Sequence, residues 1–177
     1  MPDSPTTASD LFQALVEHSS DAIALVDATG RILFLSQSAE RVTGFPNAER
    51  LGQDGFGTIH PDDVSSARTA FAACLAHART PTTLPVRTKH KSGAWQDLEV
   101  VLVNRLDDPV VGAIVCNFRD VTERRRAELA LRASELRLRH IVENAQDIIY
   151  YCDPAGHFTY VNPTAARVMK YAESELL

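Results

Sequence analysis

Apolar and polar residues follow two rhythms along this chain. Over residues 8–19, Leu11, Leu15 and Val16 recur at helical spacing behind Ser9, a suitable N-cap, and predict a short amphipathic helix. Two apolar runs follow, "DAIALV" and "RILFLS", joined by "DATG". They read as strands around a tight turn in which Gly30 supplies a positive φ. "QSAERVTGF" and "NAERLG" predict short helical turns. "HPDDVSSARTAFAACLAHA" predicts the best helix. Pro61 suits its first position, Asp62 and Asp63 complement the N-terminal dipole, and Val64, Ala67, Phe71 and Cys74 or Leu75 form its apolar stripe. Three more strands follow, "TTLPVRTKH", "AWQDLEVVLVNR" and "VVGAIVCNF", separated by the turns "KSG" and "DDP". This order predicts an α+β fold: a five-stranded antiparallel sheet with short helices on one face.

The rhythm changes after Phe118. From Asp120 to about Asn144 the chain has neither glycine nor proline and carries many arginines, which predicts one long linker helix. Asp120-x-x-Glu123 is close to a capping box, with Thr122 as an alternative cap. Ala127, Leu131, Leu138 and Ile141 fall on one seam together with Arg124 and Ser134, and Leu129 and Leu136 on a second. The expectation is a weak coiled coil joining two copies of the chain. Glu123, Glu128 and Glu135 interleave with the arginines, so the run is read as a solvated helix rather than a nucleic-acid or membrane surface.

Shifted by 126 residues, the chain matches itself. Over 12–51 against 138–177, 11 of 40 positions are identical, among them Asp21/Asp147, Asp27/Asp153, Gly30/Gly156 and Arg41/Arg167. The expected organisation is a disordered N-terminus over 1–10, a complete unit over 11–119, a linker helix over 120–144, and the first part of a second unit over 145–177. The chain thus reads as an excerpt of a longer protein, with an output domain further on.

Composition narrows the function. The 177 residues carry a formal net charge of −5, which argues against nucleic acid as the main partner. No apolar run reaches the roughly 18 residues of a membrane span, and "MPDSPTTASD" is no secretion signal, so a cytoplasmic location is expected. Cys74, Cys116 and Cys152 are scattered and suggest neither a zinc site nor a disulfide framework. "HPDD" is explained by a helix start without invoking a metal, and Cys116, expected buried, by core packing. Trp95 falls on the water side of its strand, as a rim residue or a partner contact. No nucleophile elbow, phosphate loop or Cys/His arrangement appears, so no catalytic residue is assigned and the segment is not read as an enzyme.

The order strand–DxxG–strand, "AERVTGF", "IHPDD", "KSGAW" and an apolar strand ending in "DVTERRRAE" resembles a PAS domain with its C-terminal PAC motif. The resemblance covers residues 11 to about 125 and again 138 to 177. It implies a sensory, often dimeric module of a bacterial signalling protein, such as the histidine kinase of a two-component system. The input domain of a diguanylate cyclase or phosphodiesterase is one alternative, and a ligand-free dimerisation module another. In PAS domains the Asp-x-Thr pair lies where sheet meets output helix, a signal-relay role that falls here on Asp120 and Thr122.

Parity points Leu98, Val100 and Leu102 inward from their strand, and groups Ile114, Cys116 and Phe118 on one face of the next. The first strand is apolar on both faces. Similarity to light-sensing members favours Ala24 and Val26 inward, leaving Ile23 and Leu25 outside for the N-terminal helix or a partner subunit. With Thr88 these give the cavity-lining candidates: Ala24, Val26, Thr88, Leu98, Val100, Ile114, Cys116 and Phe118. The photosensory LOV subfamily carries a cysteine in "GxNCRFLQ". Gly55 of "LGQDGFGTI" stands in its place, and Thr88, Leu98 and Phe118 replace its flavin-contacting polar residues, so a LOV-type flavin is not expected. A haem-ligating histidine would fall near Arg68. His77 remains a candidate ligand but reads better as a capping or surface residue, so haem is not expected either. The simplest expectation is a core without cofactor, or with a small-molecule ligand. His140 lacks the surroundings of a phosphoaccepting histidine and is read as structural. The expected homodimer forms through the N-terminal and linker helices.

Overall fold

The computed structural model describes residues 21–171 and Glu175. The helix expected over 8–19, with the disorder expected over 1–10, lies outside the described residues. The chain divides into two compact units, Met1–Glu123 and Arg124–Leu177.

In the first unit, strands β1 (Ala22–Val26), β2 (Ile32–Leu35), β3 (Thr82–Lys89), β4 (Trp95–Arg105) and β5 (Ala113–Asp120) form one antiparallel sheet. Its order is β2-β1-β5-β4-β3. Helices α1 (Gln37–Thr43), α2 (Asn47–Arg50) and α3 (Pro61–Ala76), with a 3-10 turn over Gly55–Thr58, lie between β2 and β3 in sequence. Alternation sorts the strands as read from the sequence. Ala22, Ala24 and Val26 are buried, while Ile23 and Leu25 are half-buried. Leu98 and Leu102 are buried while Glu99 is exposed. Helix α3 buries Ala67, Phe71 and Cys74 in the same core, and Phe71 meets Phe56 of the 3-10 turn edge to face at 5.4 Å.

A sheet edge leaves unpaired N–H and C=O groups that need cover. At the β2 edge the loop after α2 supplies it: Ile32 N donates to Gln53 O at 3.0 Å and Gly52 N to Ile32 O at 2.8 Å. At the β3 edge the start of α3 does so. His60 N donates to Arg87 O at 2.8 Å, and Arg87 N donates to the Asp63 carboxylate at 2.8 Å. The Arg87 side chain donates to the same carboxylate from Nε at 2.9 Å and Nη2 at 2.7 Å. Asp63 therefore does more than complement the dipole of α3; it fastens the helix to the sheet edge.

The described part of the second unit repeats the opening of the first in detail. After helix α4 (Thr122–Glu143), β6 (Tyr150–Cys152) pairs antiparallel with β7 (Phe158–Val161), and α5 (Pro163–Met169) follows. The turn carboxylates behave alike: Asp27 Oδ1 accepts from Thr29 N and Arg31 N, and Asp153 Oδ1 from Ala155 N and His157 N. Ser36 Oγ accepts from Ile23 N where Asn162 Oδ1 accepts from Ile149 N, 126 residues on. Both hairpins carry a register shift at the same place, Leu25/Val26 and Tyr151/Cys152.

Gly30 is required twice over. Its φ is +88°, and a Cβ there would lie 2.7 Å from Phe56 Cε2. Gly93, in the "KSG" turn, has φ +90°, but a Cβ added to it would meet nothing within 4 Å. Gly30→Ala is expected to lower the unfolding free energy by about 2–3 kcal/mol and Gly93→Ala by about 1 kcal/mol, since strained backbone alone costs about 1–3 kcal/mol. Urea midpoints of the two variants check this. Equal losses would mean that Phe56 yields freely.

Candidate functional site

The core of the first unit is not solid. A cavity of about 150 Å³ opens between the sheet and the helical segments. Its walls are mostly apolar. Ala24, Val26, Val86, Leu98, Val100, Leu102, Cys116 and Phe118 come from β1, β3, β4 and β5, Ile32 and Leu35 from β2, and Phe56, Ala67 and Phe71 from the other side. That volume matches the roughly 150 Å³ engineered cavities that hold a single benzene ring, and lies below the roughly 300–1,000 Å³ of sites for drug-sized ligands. No histidine lines it among the described residues. His77 is exposed at the C-cap of α3, with Nδ1 3.0 Å from Ala73 O. Arg68, near the expected haem-ligand position, stacks over Phe56 at 4.4 Å and pairs with Asp54 at 3.3 Å. Gly55 lines the cavity, where a Cβ would meet Gly30 O at 3.1 Å.

Few polar groups reach this wall. Arg50, at the end of α2, is half-buried, and its guanidinium sits between two other lining residues. Nη2 is 3.5 Å from Thr58 Oγ1, and Cζ is 5.8 Å from the Phe45 ring centroid. Burial lowers its pKa, against a smaller opposing effect of Asp54, which pairs with Arg68 instead. Thr88 stands on the cavity face of β3 with Val86 and Leu84, and its Oγ1 is buried without a hydrogen-bond partner. Burial also pushes the Cys116 thiol up to about 12, with a smaller contribution from Cys74, so it stays protonated and unreactive.

The cavity-lining candidates fall mostly together. Ala24, Val26, Thr88, Leu98, Val100, Cys116 and Phe118 line the cavity. Ile114 does not. It is fully buried in packed core beside Asn104 in register, at the end of the sheet where Asn104 Nδ2 donates to Leu75 O of α3. Parity put it on the right face, but the covering end of α3 closes that stretch. Sequence reasoning missed Arg50, whose approach to the cavity depends on the fold of the α2 segment. It also missed the Asp63–Arg87 clasp, a contact across 24 residues. Trp95 is 42% exposed and packs on the His60 ring at 4.5 Å, which favours the rim reading.

The opposite ends of β4 and β5 build a joint. Leu98 pairs with Asp120 in register, so Asp120 is the last residue of β5 rather than the first of a helix. Its Oδ1 accepts from Thr122 N at 2.8 Å, which caps α4, and its Oδ2 accepts from Gln96 Nε2 at 2.8 Å. The Thr122 hydroxyl is not a cap. It accepts from Asp97 N at 2.9 Å, while Val121 N donates to Asp97 O at 2.9 Å. The first turn of α4 is thus hydrogen-bonded to the backbone of β4. Arg119, just before the joint, forks onto Asp21 at 2.6 and 2.8 Å and holds that carboxyl below its ordinary range. Along α4, Ala127, Leu131, Leu138 and Ile141 are exposed, as are Leu129 and Leu136. His140 lies near the helix end, where its carbonyl accepts from Asn144 Nδ2 at 2.8 Å.

Among the described residues no group of three or more metal-ligating side chains occurs, and no helix is long and apolar enough to cross a membrane. A family model described as PAS fold matches residues 10–121, more than half of the chain, and one described as PAS domain matches residues 136–177. An uncharacterized protein, y4lL, of Sinorhizobium fredii is 27% identical over 163 residues; the match spans 87% of this chain but 19% of that protein. A solved sensory box histidine kinase/response regulator from Burkholderia thailandensis aligns with a TM-score of 0.57 at 27% identity, covering 73% of this chain and 98% of that one. The PAS domain of an HTR-like protein from Haloarcula marismortui aligns at 0.54 and 23% identity, covering 63% and 96%, a likeness of fold.

The clasp that seats α3 over the cavity carries a pH signature. Hydrogen bonds from the Arg87 side chain are the main reason the Asp63 carboxyl is held at about 2, from an ordinary 3.8. A depressed carboxylate stabilises the fold at pH values above its unfolded pKa, and that contribution fades as pH falls from about 4 towards 2. Asp63→Asn is expected to melt lower than the parent at pH 7, with the gap narrowing towards pH 2. Melting midpoints across that range test it; a gap independent of pH would assign the loss to packing.

Proposed function

This chain belongs to the PAS family, and on that premise we propose that its first unit is a sensory module. In this reading a small molecule enters the apolar cavity and the change passes through the β4–β5 joint into α4. The observation that carries the reading is shared structure. The strands that line the cavity with Leu98, Val100, Cys116 and Phe118 are the strands whose ends hold Asp120 and Thr122. Val100 is paired with Phe118, two residues from the Leu98–Asp120 pair. A ligand that spreads or twists these strands acts directly on the Asp97–Thr122 hydrogen bond. It shifts α4 only by as much as it binds one arrangement better than the other.

The exposed leucines of α4 supply the second half of the proposal. Leu131 and Leu138, 62% and 60% exposed, stand seven residues apart on a helix rich in arginine and glutamate. Burying such a row against a second copy removes apolar surface from water. The proposed assembly is therefore a homodimer through α4, with Ile23 and Leu25 on the outer sheet face available to the same partner or to the N-terminal segment. An output domain in the same chain, of histidine kinase type as in the Burkholderia relative, completes the reading. The rival, a dimerisation module without a ligand, does not account for an apolar cavity kept open in the core.

Benzene is a suitable neutral probe of the cavity. Saturating benzene is expected to raise the melting midpoint of the 177-residue chain by mass action. It is also expected to change hydrogen exchange at the amides of Asp97 and Thr122. A raised midpoint with unchanged exchange would discard the relay and keep the cavity. In sedimentation runs at high micromolar concentration the chain is expected to be dimeric, and Leu131→Glu with Leu138→Glu to make it monomeric. A monomeric parent chain would remove the dimer from the proposal.

A further inference from the structure

Among the described residues one charged side chain lines the cavity, Arg50. Its guanidinium carries a set of donors that matches a carboxylate, yet among the described residues its close contacts are Thr58 Oγ1 at 3.5 Å and the face of Phe45. No carboxylate pairs with it among the described residues; Asp54 is taken by Arg68, Asp62 and Asp63 by Arg87, and Glu49 by Lys91. Asp54 acts on it only at a distance and against a larger cost of burial, so an anion in the cavity would find a half-buried cation with donors to spare. A buried atom without a hydrogen-bond partner, Thr88 Oγ1, belongs to another residue of the same cavity wall.

Resting on the ligand-binding reading above, we propose that the cavity takes a small monocarboxylate of about benzoate size. Its apolar body lies against the sheet, its carboxylate pairs with the Arg50 guanidinium, and Thr88 offers a hydroxyl to a further polar atom. Size follows from the volume of about 150 Å³, which admits one ring or an equivalent branched chain. Charge follows from Arg50. A dicarboxylate is disfavoured, because the wall offers no second cation among the described residues.

Four probes separate the contributions: benzene, benzyl alcohol, benzamide and benzoate, titrated into the full 177-residue chain by calorimetry at neutral pH. Benzoate is expected to bind about tenfold or more tighter than benzamide, the usual worth of a charge-assisted hydrogen bond. Arg50→Gln is expected to erase that preference, and a cooperative thermal transition of the variant shows that it is folded. Arg50→Lys is expected to restore part of the preference, since it returns the charge without the fork. Thr88→Val is expected to weaken benzyl alcohol relative to benzene. Benzene binding without any preference for benzoate, or a preference that survives Arg50→Gln, would overturn the carboxylate assignment and leave the cavity reading standing. Failure of all four probes to bind would overturn both.

Discussion

The Asp63 carboxylate does three things at once. It complements the dipole in the first turn of helix α3, it accepts the backbone N–H of Arg87 on the edge strand, and it receives the Arg87 guanidinium. Helix α3 carries Ala67 and Phe71 over the cavity, so the position of its first turn decides where that wall stands. An edge strand must have its polar groups covered in any case. Here the cover also aligns the helix, and the ion pair fixes the register between them. Cavity shape, sheet edge and helix start are one mechanical unit.

From that unit the rest follows by continuity. Phe56 packs against Phe71 and is admitted by the absence of a side chain at Gly30, which ties the first hairpin to α3. The strands beneath, β4 and β5, run past the cavity to the joint at Asp97, Asp120 and Thr122. An interior packed to usual density would transmit little from a ligand it could not admit. In the proposed reading, an apolar space bounded by strands that end in a helix cap gives a ligand something to change and gives the change somewhere to go.

The joint also shows how residue type and position part company. Asp120 and Thr122 stand where a cap would be sought, and both take part in one, but unequally. Asp120 caps, while Thr122 gives its hydroxyl to the neighbouring strand. A threonine in a first helical turn is an ordinary residue until a strand backbone lies 2.9 Å away. That strand is 25 residues earlier in the chain, beyond what local spacing can express.

Much was legible in the sequence because it is local. Period-two alternation in "WQDLEVVLV" sets which side chains are buried, whereas "DAIALV" is apolar on both faces and takes its phase from resemblance; the Asp…Gly turn repeats at 126 residues with the same carboxylate-to-amide bonds. Strand faces, helix starts and the doubled unit all depend on residues within a few positions of one another. The cavity, the place of Ile114 outside it and Arg50 at its wall were decided only in three dimensions. Parity assigns a face, but whether that face is filled depends on how α3 and the α2 segment come down upon it. That is fixed by contacts such as Asp63–Arg87 and Asn104–Leu75, between residues far apart in the chain.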